Sequence, residues 1–190
     1  MTMTNKRRLT LLAVLSALSF VLMYVSFPLI PGANFLKLDF SVIPMLLALA
    51  LFDFKSSVVV LFLRTLLKLV LNNQGVETYI GLPMNMVALF VFLWAFAFIW
   101  KKHMVLTAYL KATVLGTLIL TVAMVLINLF YVVPLYATFA NFDIAATIGV
   151  SRYIVVMVIP FNIIEGVLLA LVFYIVYTSC KPFIERYQLK

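Results

Sequence analysis

A chain of 190 residues that is 66% hydrophobic and only 11% charged, with a mean hydropathy of +1.21, has too little polar surface for a soluble domain and is an integral membrane protein. The polar alternation and frequent turns of a transmembrane barrel are absent, and at about 20 residues per span the length leaves room for five or six helices and no sizeable soluble domain. A net charge of +8 would suggest nucleic acid as partner of a soluble protein, but these cations gather in alternate loops, where they orient a chain in a bilayer instead.

Asn5-Lys6-Arg7-Arg8 precedes an apolar run over about residues 9–27. The run is longer than a signal-peptide core and lacks a small-residue cleavage pattern, so it reads as a retained first helix. Pro28-Leu29-Ile30-Pro31-Gly32 breaks it. Ala13 and Ala17 lie four apart on this helix, a spacing that lets a second helix approach closely. Ala108, Ala112 and Gly116 repeat the spacing later, and packing within the chain is the plainer explanation for both sets.

Ala33-Asn34-Phe35-Leu36-Lys37-Leu38-Asp39-Phe40-Ser41 alternates apolar and polar types, as a short strand or extended loop outside the membrane does. A short second helix over about residues 42–52 follows, with Ser41 as N-cap and Pro44 in its first turn. Asp53-Phe54-Lys55-Ser56 makes a tight turn into a third helix, about residues 57–71, which carries Arg64 and Lys68 on one face. Two cations in a membrane helix need partners or water, unless Arg64 snorkels to an interface. Beyond the polar loop 72–77, Gly81-Leu82-Pro83 starts a fourth helix over about residues 84–100, with Asn85 in its first turn. The fifth helix, about residues 108–133, bears a semi-polar stripe of Thr121, Met124, Asn128 and Tyr131. A loop over residues 134–152 leads to the sixth, whose apolar run covers residues 153–178 and which ends near Cys180-Lys181-Pro182.

The sixth helix holds the most informative charge. A carboxylate such as Glu165 near mid-bilayer costs about 2.5–3.5 kcal/mol, so it faces a bundle interior and marks a substrate or ion path. Asn162 lies on the same face, and Pro160 frees a backbone carbonyl one turn earlier. Together the three describe one wall of a polar cavity. The plainer alternative is a structural Glu165, neutral or paired with a cation on another helix.

Lys6, Arg7, Arg8, Lys55, Lys101, Lys102, Lys111, Lys181, Arg186 and Lys190 fall on one side and Lys37 and Arg152 on the other, ten against two. That asymmetry predicts six helices with both termini cytoplasmic. Asn85, Asn128, Asn162 and Lys68 then converge near Glu165, around a cavity open to the outside. No P-loop, no H-E-x-x-H and no aspartate pair is present, and one His and one Cys form no catalytic or metal constellation. An enzyme is therefore not expected, nor a metal or cofactor. Amides among Leu, Met and Phe suit a neutral, ring-bearing guest such as a vitamin better than an ion.

Residues 33–44, the Ala13/Ala17 pair, Gly81-Leu82-Pro83-Met84-Asn85, Asn128-Leu129-Phe130-Tyr131 and Pro160-Phe161-Asn162-Ile163-Ile164-Glu165-Gly166 together resemble the substrate-binding (S) components of energy-coupling factor (ECF) transporters, riboflavin-specific ones among them. The resemblance covers essentially the whole chain. It implies an all-α membrane protein of six transmembrane helices, one domain over residues 1–190, in the bacterial cell membrane. It implies riboflavin as ligand, with Leu38, Asp39 and Phe40 as lid and Lys68, Gly81, Asn85, Asn128, Tyr131, Asn162 and Glu165 around it; Lys68 pairs with Glu165 or meets the ligand. It further implies docking through Ala13 and Ala17 onto a transmembrane T component coupled to two cytoplasmic ATPases. An S component for thiamine or biotin is the alternative within transport, and a self-sufficient proton-coupled carrier the alternative from another class.

Overall fold

The computed structural model describes residues 5–31 and 36–188. Gly32, Ala33, Asn34 and Phe35 of the breaker and loop motifs, and Lys190 of the charge count, lie outside the described residues.

Helix α1 (Asn5–Leu22) starts at the basic cluster and stops earlier than its apolar run suggests. The remaining residues turn, and β1 (Ser26–Pro28) pairs antiparallel with β2 (Lys37–Asp39), Phe27 facing Leu38. This corrects the first helix's expected end. A reversed chain at a bilayer's edge must pair its backbone groups, and a two-stranded ladder does so with Pro28 at the ladder's end. The alternation read in 33–41 survives as β2, which points Leu38 fully inward.

Helix α2 (Val42–Leu51) is buried on nearly every side. Its ten residues rise about 15 Å, half a hydrocarbon core. Ser41 does not cap it: the hydroxyl makes no capping bond and accepts from Arg64 instead. Asp53 caps α3 (Phe54–Leu71) by accepting from the Ser56 N–H, so the expected turn is already the helix start. Arg8 Nη2 reaches Asp53 Oδ2 at 2.7 Å and Ser56 Oγ at 2.6 Å, tying the start of α1 to the α2–α3 corner.

Helix α4 (Val76–Ala95) begins a turn and more before Pro83, which sits inside it, and runs on as a π turn over Phe96–Trp100. Proline lacks the N–H that would reach the Tyr79 carbonyl. That carbonyl instead receives the Tyr131 hydroxyl at 3.4 Å, which lets the helix pass through. Helix α5 (Leu106–Ile127) also continues as a π turn, Asn128–Val132, into α6 (Val133–Phe139). The expected loop 134–152 therefore holds helical turns, with α7 (Ile144–Thr147) capped by Asp143 and α8 (Val150–Arg152) beyond it. A third π turn, Tyr153–Val158, leads into α9 (Ile159–Gln188), which passes through Pro182 instead of stopping there.

Among the described residues three stretches, Val76–Trp100, Leu106–Phe139 and Val150–Arg186, are long and apolar enough to cross a membrane. Helix α2 packs against α4 and α9 and α3 against α4, while α1 lies on α2 and α3. Rings of Phe96, Trp100, Tyr109, Phe173 and Tyr177 interlock with centroids 4.9–6.2 Å apart and fill the bundle toward the Lys101 end.

Helices α5 and α9 touch where Gly166 meets Thr117. A Cβ at Gly166 would lie 2.4 Å from Thr117 Oγ1 and 2.9 Å from its Cγ2. Gly166→Ala is expected to cost about 1–3 kcal/mol by overpacking, read as a lower thermal midpoint of the detergent-purified protein. Thr117→Ala in the same chain should restore part of it; a single variant as stable as wild type would contradict this contact.

Candidate functional site

The interior is organised by one cation. Arg64, in the middle of α3, is 1% exposed. Its Nη1 donates to Asn85 Oδ1 at 2.6 Å, and its Nη2 to Ser41 Oγ at 2.8 Å and Asp39 Oδ2 at 3.4 Å. Asp39 Oδ1 in turn accepts from the Ser41 N–H at 2.8 Å, and the Ser41 carbonyl accepts from Ser19 Oγ at 2.6 Å. A charge taken out of water needs such a shell, because removing one partner leaves it uncompensated. Four segments, α1, the β2–α2 corner, α3 and α4, thus meet around one guanidinium.

Lys68, one turn farther along α3, goes a different way. Its ammonium donates to Asn72 Oδ1 at 2.8 Å, and Asn72 Nδ2 donates to the Tyr24 hydroxyl at 2.7 Å. The structure therefore shows no Lys68–Glu165 pair.

Next to the Arg64 shell lies a cavity of about 90 Å³. Asn85, Glu165 and Lys37 are its polar lining; Met84, Met124 and Phe161 are among its apolar walls. Phe92 also lines it and packs on Phe96 at 5.0 Å, so the aromatic cluster closes the cavity toward the Lys101 end. Glu165 makes no hydrogen bond or ion pair with another described residue. Its carboxyl is a free polar group in an otherwise apolar wall.

The other expected residues surround this centre without lining it. Asn128 Nδ2 donates to the Met124 carbonyl at 2.7 Å, and its Oδ1 accepts from the Tyr153 hydroxyl at 2.5 Å. The bond joins the first residues of two π turns, one after α5 and one before α9. Asn162 Nδ2 donates to the Val158 carbonyl at 2.7 Å, while its buried Oδ1 has no partner among the described residues. Asn162 thus bonds its own helix next to the proline, and Glu165 alone of that pair reaches the cavity. Tyr131 holds the Tyr79 carbonyl. Gly81 has open space around it, Leu38 is fully buried, and Phe40 rests on Phe27 at 6.1 Å.

Arg64 and Lys37 were not among the residues that sequence placed at the ligand. Arg64 carried a signal, a cation in an apolar helix that must find oxygens, but its partners are remote in the chain. The two small-residue sets separate clearly. Ala108, Ala112 and Gly116 are buried, and a Cβ at Gly116 would meet the Phe92 ring at 3.3 Å. Ala13 and Ala17 are exposed, flanked by Val14 and Leu18, which are 56% and 44% exposed.

Comparison with known proteins agrees with this architecture. Residues 7–177 match the family model for the ECF transporter, substrate-specific component. The chain is 55% identical over 184 residues to the riboflavin transporter RibU of Streptococcus thermophilus, covering 97% of this chain and 87% of that one. It is 40% identical over 195 residues to the riboflavin transporter RibU of Leuconostoc mesenteroides, covering 97% and 96% of the two. A solved structure presented as "Structure and mechanism of the S component of a bacterial ECF transporter" superposes with a TM-score of 0.77 at 29% identity, over 95% of this chain and 99% of that one. This chain belongs to the substrate-specific components of ECF transporters.

Proposed function

We propose that this chain captures riboflavin from outside a bacterial cell membrane and delivers it as the S component of an ATP-driven importer. One observation carries the reading: 55% identity to a riboflavin transporter, extending over 97% of the chain. The cavity supports it, because an amide and a carboxyl among Met, Leu and Phe suit an uncharged ring with a polar edge. In this reading residues 1–190 are one six-helix domain with both termini cytoplasmic. The transport subunit requires no cofactor, and ATP is hydrolysed by two ATPases bound to a T component.

Asn85 and Glu165 meet the ligand directly. Asn128 and Asn162 hold the π turns and the proline-broken backbone around it, and Tyr131 and Gly81 shape the rim. The cavity of about 90 Å³ is smaller than the roughly 300–1,000 Å³ of a small-molecule pocket. Riboflavin therefore enters when the corner bearing Lys37, Leu38, Asp39 and Phe40 moves outward, and Lys68 stays at the rim with Asn72. The aromatic cluster below blocks passage to the other end, so release requires partner subunits. Docking uses the exposed Ala13/Ala17 face of α1.

Riboflavin fluorescence should be quenched saturably by the detergent-purified chain, and neither thiamine nor biotin should compete. Competition by either vitamin would overturn the ligand assignment. Uptake by the isolated chain in vesicles, driven by a pH gradient without ATP, would point to a self-sufficient carrier. Glu165→Ala is expected to weaken binding by about 1–3 kcal/mol, the usual cost of losing a buried polar partner; an unchanged titration would remove Glu165 from the ligand. Ala13→Leu with Ala17→Leu should abolish uptake with T and ATPase partners while leaving quenching intact. Loss of quenching in that variant would show that the face serves the S component's own packing.

A further inference from the structure

The orientation of the Asn85 amide follows from its neighbour. A guanidinium has donors and no acceptor, so the Asn85 atom 2.6 Å from Arg64 Nη1 must be the carbonyl oxygen. The opposite rotamer would set an amide N–H against a guanidinium N–H. The two N–H groups of Asn85 Nδ2 are left over, and no hydrogen bond joins them to another described residue. Asn85 lines the cavity, and so does Glu165 with its free carboxyl. The site therefore offers a donor and a carboxyl to one guest. A ring edge that sets a carbonyl beside an N–H uses both, and the pyrimidinedione edge of riboflavin is of that kind.

The same guanidinium also holds the corner that covers the site. Its Nη2 binds Ser41 Oγ and Asp39 Oδ2, and Asp39 closes back on the Ser41 N–H. Moving the corner strips two of three partners from a buried charge, and the remaining bond to Asn85 must then adjust. The donor at the ligand and the closure of the corner share one hub.

We propose that Arg64 is a positioning residue for riboflavin, turning the Asn85 Nδ2 donors onto a ring carbonyl and linking that orientation to the seated β2–α2 corner. This rests on the riboflavin reading above. Asn85→Asp tests it most cleanly, because the carboxylate keeps an acceptor for Arg64 and loses both donors. Riboflavin titrated into the detergent-purified full chain should bind about tenfold more weakly, or worse, in this variant, with a thermal midpoint no lower than wild type. Arg64→Met should also weaken binding, and in that background Asn85→Asp should add far less than it costs alone, because the two act as a unit.

Asn85→Asp that binds riboflavin as tightly as wild type overturns the inference, and so do losses that simply multiply. If Arg64→Met does not fold, Asn85→Asp alone decides. Wild-type protein that fails to quench riboflavin overturns the ligand assignment and this inference with it, whereas an Asn85→Asp variant that quenches with wild-type affinity overturns the inference alone.

Discussion

A guanidinium cannot be left bare inside an apolar bundle, and the half of this protein nearer the β-hairpin is arranged around meeting that requirement. Arg64 draws oxygens from Asp39, Ser41 and Asn85, which belong to a strand, the corner after it and a neighbouring long helix. Satisfying the charge therefore fixes the relative positions of β2, α2, α3 and α4. It also diverts Ser41 from helix capping and leaves the Asn85 amide with one orientation. The cavity is the space beside this shell.

Two halves of the bundle divide the work. Toward Lys101, aromatic rings of Phe96, Trp100, Tyr109 and Phe173 meet edge to face and close the interior; the Tyr109 hydroxyl bonds the Ala170 carbonyl across α5 and α9. Toward the β-hairpin lie the other two π turns, two prolines and side-chain bonds to backbone carbonyls, the π turn Phe96–Trp100 belonging to the aromatic half. Such irregular backbone is tolerated at membrane depth only where protein or a cavity receives its polar groups. A bundle with a cavity toward one end and a packed aromatic core toward the other is suited to capture and unsuited to conduction. That agrees with membership in the substrate-specific components of ECF transporters.

Much of this was legible in the chain. Composition marked the membrane, and the apolar runs marked the helices of the bundle. Glu165 and Asn85 stood out as polar groups where polarity is costly, and both line the cavity. Element ends were less legible. Pro83 reads locally as a start, yet Tyr131, some fifty residues on, relieves the carbonyl it frees. Phe27 reads as helix, yet a partner strand takes it. Asn128 and Asn162 were legible as polar groups in apolar runs; among the described residues Asn128 bonds Tyr153 and the Met124 carbonyl, and Asn162 bonds the Val158 carbonyl through Nδ2 while its Oδ1 keeps no partner. Spacing also could not distinguish Ala13 and Ala17 from Ala108 and Ala112, since identical periodicity serves an inner seam and an outer face alike. Arg64 was visible as a problem of unpaired charge, but its solution depends on three segments whose proximity only tertiary structure supplies.

The most direct measurement is an experimental structure of the full chain grown with riboflavin. The expected result is ring density in the cavity between Asn85 and Glu165, with Arg64 still bonded to Asp39, Ser41 and Asn85. Ring density on another surface, or an Arg64 side chain turned away from those three residues while ligand is bound, would contradict the central role given to the buried cation.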